Sequence, residues 1–486
     1  MKLNRLLIGT ILGVQFTFAA FADDVASTNG LSSDIQALKK EIQSLEQKVS
    51  ALELQSTQNQ QSAQVQDLDQ KFRVLERKRE IDEEAATATA ATTPKITLGA
   101  NGFGFSSADS NFVATLHGLV QFDSRTFFND HGIKGNDSFI LRRARPIFTG
   151  TVYHDFDFVL VPEFGSSTVQ ILDAFVNYRY QPELQLQAGK FKSPVGLEAL
   201  QSDTATFFNE RSLVTDLLPN RDVGAELHGD LFGGAVGYAA GIFNGAPDFS
   251  TTATNADYED NKAFAGRIFF QPWKTSDVGL LKGFGFGVGG SYESDRAVGA
   301  LSSGLTSGYT TDGQQKFFTY TNGVLANGTH WRISPQAYYC YGPFGILGEY
   351  AISDQRVSKG TASADLRNQA WEISGGWILT GEDASYTGIT PRHPFNPRKN
   401  QWGAFQIVGR YADLDVDDKA FPTFANPNTS ASAAHAWSAG INWYLNKNIR
   451  VNASYSHTIF DGGNGTGATV TKQPENVFFT RIQLAF

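Results

Sequence analysis

Val477-Phe478-Phe479-Thr480-Arg481-Ile482-Gln483-Leu484-Ala485-Phe486 closes the chain. Counted back from Phe486, every second residue is Leu484, Ile482, Thr480 and Phe478, while Gln483 and Arg481 lie on the interleaved face. This is a period-two strand of about ten residues, the length that crosses a bilayer as a tilted β-strand. Ending on an exposed aromatic is expected of a lipid-facing strand that closes a barrel. A buried edge strand of a soluble sandwich is the competing reading of these ten residues alone.

The opposite end carries an export pattern. Met1-Lys2-Leu3-Asn4-Arg5 is a short basic region, Leu6 to Ala20 is apolar, and Ala20-Phe21-Ala22 is a small-x-small cleavage site before Asp23, so residues 1–22 are expected to be a signal peptide. No later stretch approaches eighteen uninterrupted apolar residues, which excludes ordinary transmembrane helices. An exported chain of this kind is periplasmic, secreted or an outer-membrane barrel.

Composition favours the barrel. With 48 Gly, 38 Phe, 16 Tyr and 7 Trp in 486 residues, the chain is aromatic and glycine-rich, yet its mean hydropathy is negative. Lipid-facing apolar residues alternating with lumen-facing polar ones average out this way, with aromatics at the membrane interfaces. Cys340 is the single cysteine, so no intramolecular disulfide forms, and its neighbours Tyr338, Tyr339 and Tyr341 mark a packed or lipid-facing thiol rather than a nucleophile. A net charge of -9 argues against nucleic acid. The eight His residues are scattered, without H-E-x-x-H, C-x-x-C or G-x-S-x-G spacing. No catalysis, metal or cofactor is expected.

Residues 23–84 differ in character, being rich in Gln, Glu, Lys, Ala and Ser. Leu38, Ile42, Leu45, Val49 and Leu52 step by 4, 3, 4 and 3, the seam of a coiled coil. The seam breaks at Ser56 and Asn59 and resumes in a shifted frame at Val65, Leu68, Phe72 and Leu75. Ser33 or Asp34 could cap its start. Self-association as a periplasmic coiled coil is the economical reading; a solitary solvated helix or a disordered spacer is the alternative. Residues 85–94, Ala/Thr-rich and ending in Pro94, read as a linker.

From Lys95 to Phe486 the pattern is β. Phe112, Ala114, Leu116, Gly118, Val120 and Phe122 share one face, with Thr115, His117, Gln121 and Asp123 on the other. Leu172, Ala174, Val176, Tyr178 and Tyr180 likewise oppose Asp173, Asn177 and Arg179. Long polar stretches separate such strands: 245–262, 302–315, 415–432 and 461–475. They are costly inside a compact soluble domain and ordinary on the outer face of a membrane barrel. The expected fold is all-β, a transmembrane antiparallel β-barrel of about sixteen strands over residues 95–486, preceded by the α-helical segment.

One insertion resists this pattern. Residues 190–222 carry Lys190, Lys192, Arg211 and Arg221, and Thr206 to Val214 could form a short helix. The insertion either folds into the lumen as a constriction or extends outside.

Several motifs then fall into order: Phe139-Ile140-Leu141-Arg142-Arg143-Ala144-Arg145, Leu172-Asp173-Ala174-Phe175-Val176-Asn177-Tyr178, Gly189-Lys190-Phe191 with Gly196-Leu197-Glu198, Asn209-Glu210-Arg211-Ser212, Leu379-Thr380-Gly381-Glu382, and Gly440-Ile441-Asn442-Trp443-Tyr444-Leu445-Asn446. Together, from about Ser110 to Phe486, they resemble the phosphate-selective porin O and P family. The resemblance implies a sixteen-stranded, trimeric outer-membrane barrel whose long loop folds inward to set the pore size. It also puts Arg142, Arg143 and Arg211 on basic positions of phosphate-selective members, and Asp173 on an acidic position near the constriction. Arginine suits such a site because its fixed fork of donors replaces an oxyanion's lost hydration without losing charge. The plainer alternatives are a solvated rim for Arg142, Arg143 and Arg145, a salt bridge from Arg211 to Glu210 or Asp216, and an ion pair across the wall for Asp173.

The chain also departs from that pattern. Ala199 stands where those members have Lys, Leu119 replaces an Arg, Asp157 replaces a basic residue, and the arginine-dense loop expected near 295–325 offers mainly Arg296 and Lys316. The expected protein is therefore an outer-membrane porin of a Gram-negative bacterium, a homotrimer contacting outer-membrane lipid, with its N-terminal segment periplasmic. It would pass small hydrophilic or anionic solutes passively, with modest anion preference rather than high phosphate selectivity. Candidate pore-lining residues are Arg142, Arg143, Asp173, Lys190, Lys192, Arg211 and Arg221. The alternative function is a structural tether reaching the cell wall through the coiled coil.

Overall fold

The computed structural model describes residues 35–48, 62–100, 102–128, 135–165, 168–248, 250, 260–295, 308–463 and 473–486. The expected signal peptide, the Ser33/Asp34 cap, the seam from Val49 to Asn59, and Arg296 lie outside the described residues. The chain divides into two units, one through Leu98 and one from Gly99 onward.

The first unit contains helix α1 (residues 35–48) and helix α2 (Ser62–Thr92). Leu38, Ile42 and Leu45 of α1 are less exposed than their neighbours, whereas in α2 Leu68 and Leu75 are half-buried no more than the adjacent Asp69 and Glu76, and only Phe72 stands out from its neighbours. Helix α2 continues to Thr92, through residues expected to form a linker. The alanines interspersed there are the strongest helix formers and carry the helix past Ala85.

In the second unit sixteen antiparallel strands close on themselves. They are β1 (Phe112–Phe127), β2 (Ser138–Val152), β3 (Phe156–Glu163), β4 (Gln170–Gln181), β5 (Leu184–Lys192), β6 (Arg221–Leu231), β7 (Val236–Phe243), β8 (Ala263–Phe270), β9 (Phe284–Asp295), β10 (Leu325–Tyr341), β11 (Phe344–Lys359), β12 (Ala362–Ile378), β13 (Ala404–Asp415), β14 (Ala431–Tyr444), β15 (Ile449–Gly462) and β16 (Glu475–Ala485). Each pairs with its neighbours in sequence, and β16 pairs back onto β1 from Val477↔Phe127 to Ala485↔Leu119. A short strand, Gly102–Ser106, also lies against β1, with Phe103 opposite Leu116. At the seam, the Phe486 N–H donates to the Gly118 carbonyl at 3.0 Å and the Phe486 carbonyl accepts the Gly118 N–H at 2.9 Å.

The barrel is polar inside and apolar outside. Val120, Phe122, Leu141, Val176, Leu186, Ile242, Ile333, Ile373, Ile441 and Ile482 are exposed, whereas Gln121, Asp123, Asn177, Arg332, Glu349, Asn442 and Arg481 are buried. Exposed aliphatic and aromatic residues recurring around a whole sheet need an apolar surrounding to cover them. Phe344–Trp377 and Phe405–Trp443 stack at 5.5 and 5.6 Å near the strand ends that the turns at 342–343 and 445–448 join.

A hydrophobic core fills part of the lumen. Val195, Leu213, Val214, Leu217 and Leu218 of the long insertion meet Tyr309, Phe317, Phe318 and Val324 of the β9–β10 connection and Val416, Ala420 and Phe424 of the β13–β14 connection. The wall beneath them is small-residued, with Ala351, Ala370, Ala412, Ala434 and Ala436 inward. These side chains make room for the loops that the sequence pattern alone reads as polar and external.

Candidate functional site

The lumen site grows from β1, β2 and β16. Gln121, Asp123 and Arg125 alternate on the inner face of β1, and Arg481 and Gln483 face them from β16. On β2 strict alternation would send Arg142 and Arg143 to opposite faces. A β-bulge prevents it: Gln121 pairs with Arg143 but Phe122 pairs with Leu141, leaving Arg142 as the extra residue. Arg142 and Arg143 consequently both reach inward partners.

Residues 193–220 lie inside the barrel, held largely by main-chain atoms. Arg450 donates to the Thr206 carbonyl at 2.8 Å, Asn442 to Phe207 at 3.0 Å, Arg481 to Asn209 at 2.6 Å and Arg410 to Glu210 at 3.0 Å. From the other side, Gln336 donates to Val195, and Glu349 accepts the N–H groups of Leu197 and Glu198 at 2.8 and 3.0 Å. A buried irregular segment must satisfy its own N–H and C=O groups, and here the wall supplies the partners. With these carbonyls taken, the helix expected within Thr206–Val214 does not form; the helical turns are α3 (Leu197–Leu200) and a 3-10 turn at Leu213–Leu217. At α3 the Glu349 carboxylate sits at the amino end, while Lys192 and Arg211 donate to the Gln201 carbonyl at 2.9 and 2.8 Å beyond the carboxyl end. Both match the helix dipole. Gly289 on β9 lets the loop approach: a Cβ there would stand 2.1 Å from the Val195 oxygen.

Two loop carboxylates organise the arginines. Glu210 accepts Arg142 through both oxygens at 2.7 and 2.9 Å, and Arg125 and Arg481 each approach it at 3.4 Å. Asp203 is paired with Arg143 at 3.2 Å, with Arg211 at 2.7 Å, and with Arg145, which also binds Glu163. Burial opposes ionisation of both acids, but the surrounding guanidiniums outweigh it. Arg142, Arg143 and Arg481 hold Glu210 well below the usual carboxylate range; Arg143, Arg211, Arg145 and Lys192 do the same for Asp203.

The remaining expected residues form an adjoining group. Arg221 clasps Asp173 with two hydrogen bonds of 2.9 and 3.0 Å. Those two residues are among the nearby charges of both Lys190 and Lys192, and the reach of Lys192 to Gln201 joins this group to the loop. Arg211 meets neither Glu210 nor Asp216, its partners in the plainer reading. Its donors go to Asp203 and to the carbonyls of Glu198 and Gln201, which makes it a staple within the loop. Sequence reasoning overlooked Asp203, Arg125, Arg410 and Arg450. For the three arginines the inward positions of clean strands were an available signal. For Asp203 there was none.

A sixteen-stranded barrel with an apolar outer face, a polar inner one and a loop seated across an arginine-rich wall defines an outer-membrane porin. Residues 115–486 match the family model described as phosphate-selective porin O and P, and the chain belongs to that family. Its place is the outer membrane of a Gram-negative bacterium. It is 24% identical over 397 residues to Porin O of Pseudomonas aeruginosa, covering 76% of this chain and 88% of the relative. Among solved structures it resembles OmpT of Vibrio cholerae (TM-score 0.50, 12% identity, 81% of this chain and 100% of that one). It also resembles the outer-membrane channel DcaP of Acinetobacter baumannii (TM-score 0.50, 12% identity, 79% and 99%). These two likenesses concern the fold. Neither the family nor these relatives supports the tether reading.

Proposed function

We propose that the protein is a passive channel for small hydrophilic solutes with a modest preference for anions, and that residues 190–222 form its constriction. One observation carries the reading: the charge balance around the loop. Arg125, Arg142, Arg143, Arg145, Arg211, Arg410, Arg450 and Arg481 gather there against Asp123, Glu163, Glu198, Asp203, Glu210 and Asp312. Counting also Lys190, Lys192 and Arg221 on one side and Asp173, Asp216, Asp222 and Glu349 on the other, the excess is positive but small. Arginines whose charge is largely answered by carboxylates attract anions without holding them tightly, which suits throughput rather than capture. Leu119, Ala199 and Asp157, in place of basic residues, point the same way. The name of the Pseudomonas relative, Porin O, agrees with the channel reading, and a porin family supports passage rather than catalysis.

Family resemblance also supports a homotrimer, and the spacing of Leu38, Ile42 and Leu45 supports a coiled coil that reinforces it. Contact of that segment with the cell wall belongs to the same proposal, tested by whether purified cell-wall material retains the full chain and releases one lacking residues 23–84.

Planar-bilayer recording tests the channel. In a KCl gradient the reversal potential should report greater permeability to chloride than to potassium; cation preference would overturn the role given to the arginines. Phosphate should block only at high concentration, and block at low concentration would mark a phosphate-selective pore instead.

A further inference from the structure

The β9–β10 connection ends in a hairpin, Gly308–Thr310 paired with Lys316–Thr319, whose turn carries Asp312. The turn is tight: the Thr311 N–H donates to the Gln315 carbonyl at 3.0 Å and the Gln314 N–H to the Thr311 carbonyl at 2.9 Å. Apolar side chains of the hairpin, Tyr309, Phe317 and Phe318, are buried in the lumen core and drive the tip inward. There a single oxygen of Asp312 accepts from three wall donors, Arg410 Nη2 at 2.7 Å, Ser438 Oγ at 2.9 Å and Ser456 Oγ at 2.7 Å. Arg410 at the same time holds the loop at Glu210 and lies over the Phe208 ring at 4.6 Å. The cradle therefore adjoins the constriction.

A guanidinium and two hydroxyls on three adjacent strands, converging on one oxygen, form an oxyanion-binding arrangement. We propose that Arg410, Ser438 and Ser456 are a binding site for a small organic carboxylate in transit, and that Asp312 is an intramolecular ligand that competes for it. This inference rests on the proposed passage of anions. A monocarboxylate fits better than a phosphate dianion for two reasons. The group already seated is a carboxylate, and Glu198 stands 3.5 Å from Arg410, where it opposes a second negative charge. Unmasking the cradle requires only that the Asp312 side chain leave it. The tip is retained separately by Glu475, which accepts from Thr311 Oγ at 2.8 Å and from the Gly313 N–H at 3.2 Å. A tethered competitor of this kind acts at a high effective concentration and masks the site from free solute.

The test uses the full chain in planar bilayers, with propionate and inorganic phosphate as separate probes of the chloride current. Asp312→Asn should lower the half-inhibiting propionate concentration by about tenfold and shift phosphate less. Adding Arg410→Gln to it should abolish that gain. Thr311→Val, which weakens the retention of the tip but leaves the cradle intact, should change the propionate value in the same direction by less, and stands in if Asp312→Asn does not insert. An unchanged propionate value in a variant that inserts with channels of ordinary size overturns the site. A larger shift for phosphate than for propionate overturns the assignment to carboxylates. The reversal potential is read in the same records, so a cation-selective wild-type channel would count against the anion reading and is distinguishable from failure of the cradle.

Discussion

Arg481 on the last strand and Asp123 on the first lie opposite one another where the barrel closes, joined by two hydrogen bonds of 2.6 and 2.7 Å. Both are almost wholly buried, and Arg481 also donates to the Asn209 carbonyl of the loop. One guanidinium thus connects barrel closure to loop placement.

Removing Asp123 leaves the buried Arg481 with only Glu210, at 3.4 Å and shared with other arginines, as counter-charge, so Asp123→Asn should destabilise the folded barrel by about 3 kcal/mol. Denaturant-dependent unfolding in detergent would show it. A loss no larger than that of an exposed pair would mean that water reaches Arg481 freely.

The depressed carboxyls of Glu210 and Asp203 predict how the loop responds to acid. A carboxylate whose folded pKa is lowered contributes stability that is complete above its unfolded value, roughly 4, and is lost as pH falls through the lower folded value. Single-channel conductance should therefore stay constant from neutral pH down to about 4 and become unsteady only below it. A transition near pH 6 would contradict this assignment.

Asp216 has the opposite sign. Burial first, and then the neighbouring Asp248 and Asp312, push its carboxyl well above the usual range, although the Thr310 N–H donates to it at 2.7 Å. Folding with this group becomes less favourable as pH rises above its unfolded value. Asp216→Asn, which keeps an acceptor for Thr310, should be close to neutral in acid and stabilising at pH 8, by about 1 kcal/mol or more. Equal effects at both pH values would remove Asp216 as the source.

Arg142 is the most exposed of the arginines around Glu210, with 29% of its side chain accessible. Arg142→Gln should reduce the chloride-to-potassium permeability ratio roughly twofold, and Glu210→Gln should raise it by releasing Arg142 and Arg125. Reversal potentials that move in the reverse order would place the selective step elsewhere.

At Gly289 any side chain meets the Val195 oxygen. Gly289→Val should push the loop off β9 and enlarge the single-channel conductance while the barrel itself remains folded. Unaltered conductance would show that the loop edge near Val195 does not bound the pathway.

The barrel was legible because period-two alternation is a local property. Val477–Phe486 reads the same way in the sequence as in the structure, with Ile482 and Leu484 exposed and Arg481 and Gln483 buried. Arg142 shows where that rule stops: a bulge is one residue of slippage, and nothing in Leu141-Arg142-Arg143 announces it. The partners of Arg211 and Arg142 were hidden for another reason. Glu210 and Asp203 meet Arg142, Arg143 and Arg145 from a strand distant in sequence, and Arg211 reaches Asp203 across an irregular turn of the loop; periodicity carries no information about either meeting. The buried hairpin at 308–319 was misjudged because its glycines, threonines and glutamines outnumber the few aromatic residues that decide its course.

The wall grips the loop largely by the oxygens of its peptide bonds, at Val195, Thr206, Phe207, Asn209 and Glu210. Every residue type offers that same oxygen. Side chains in this stretch that make no contact of their own can therefore be exchanged while the seat is kept. The barrel acts as a socket for a replaceable insert, and a change of solute preference need not begin with a change of scaffold.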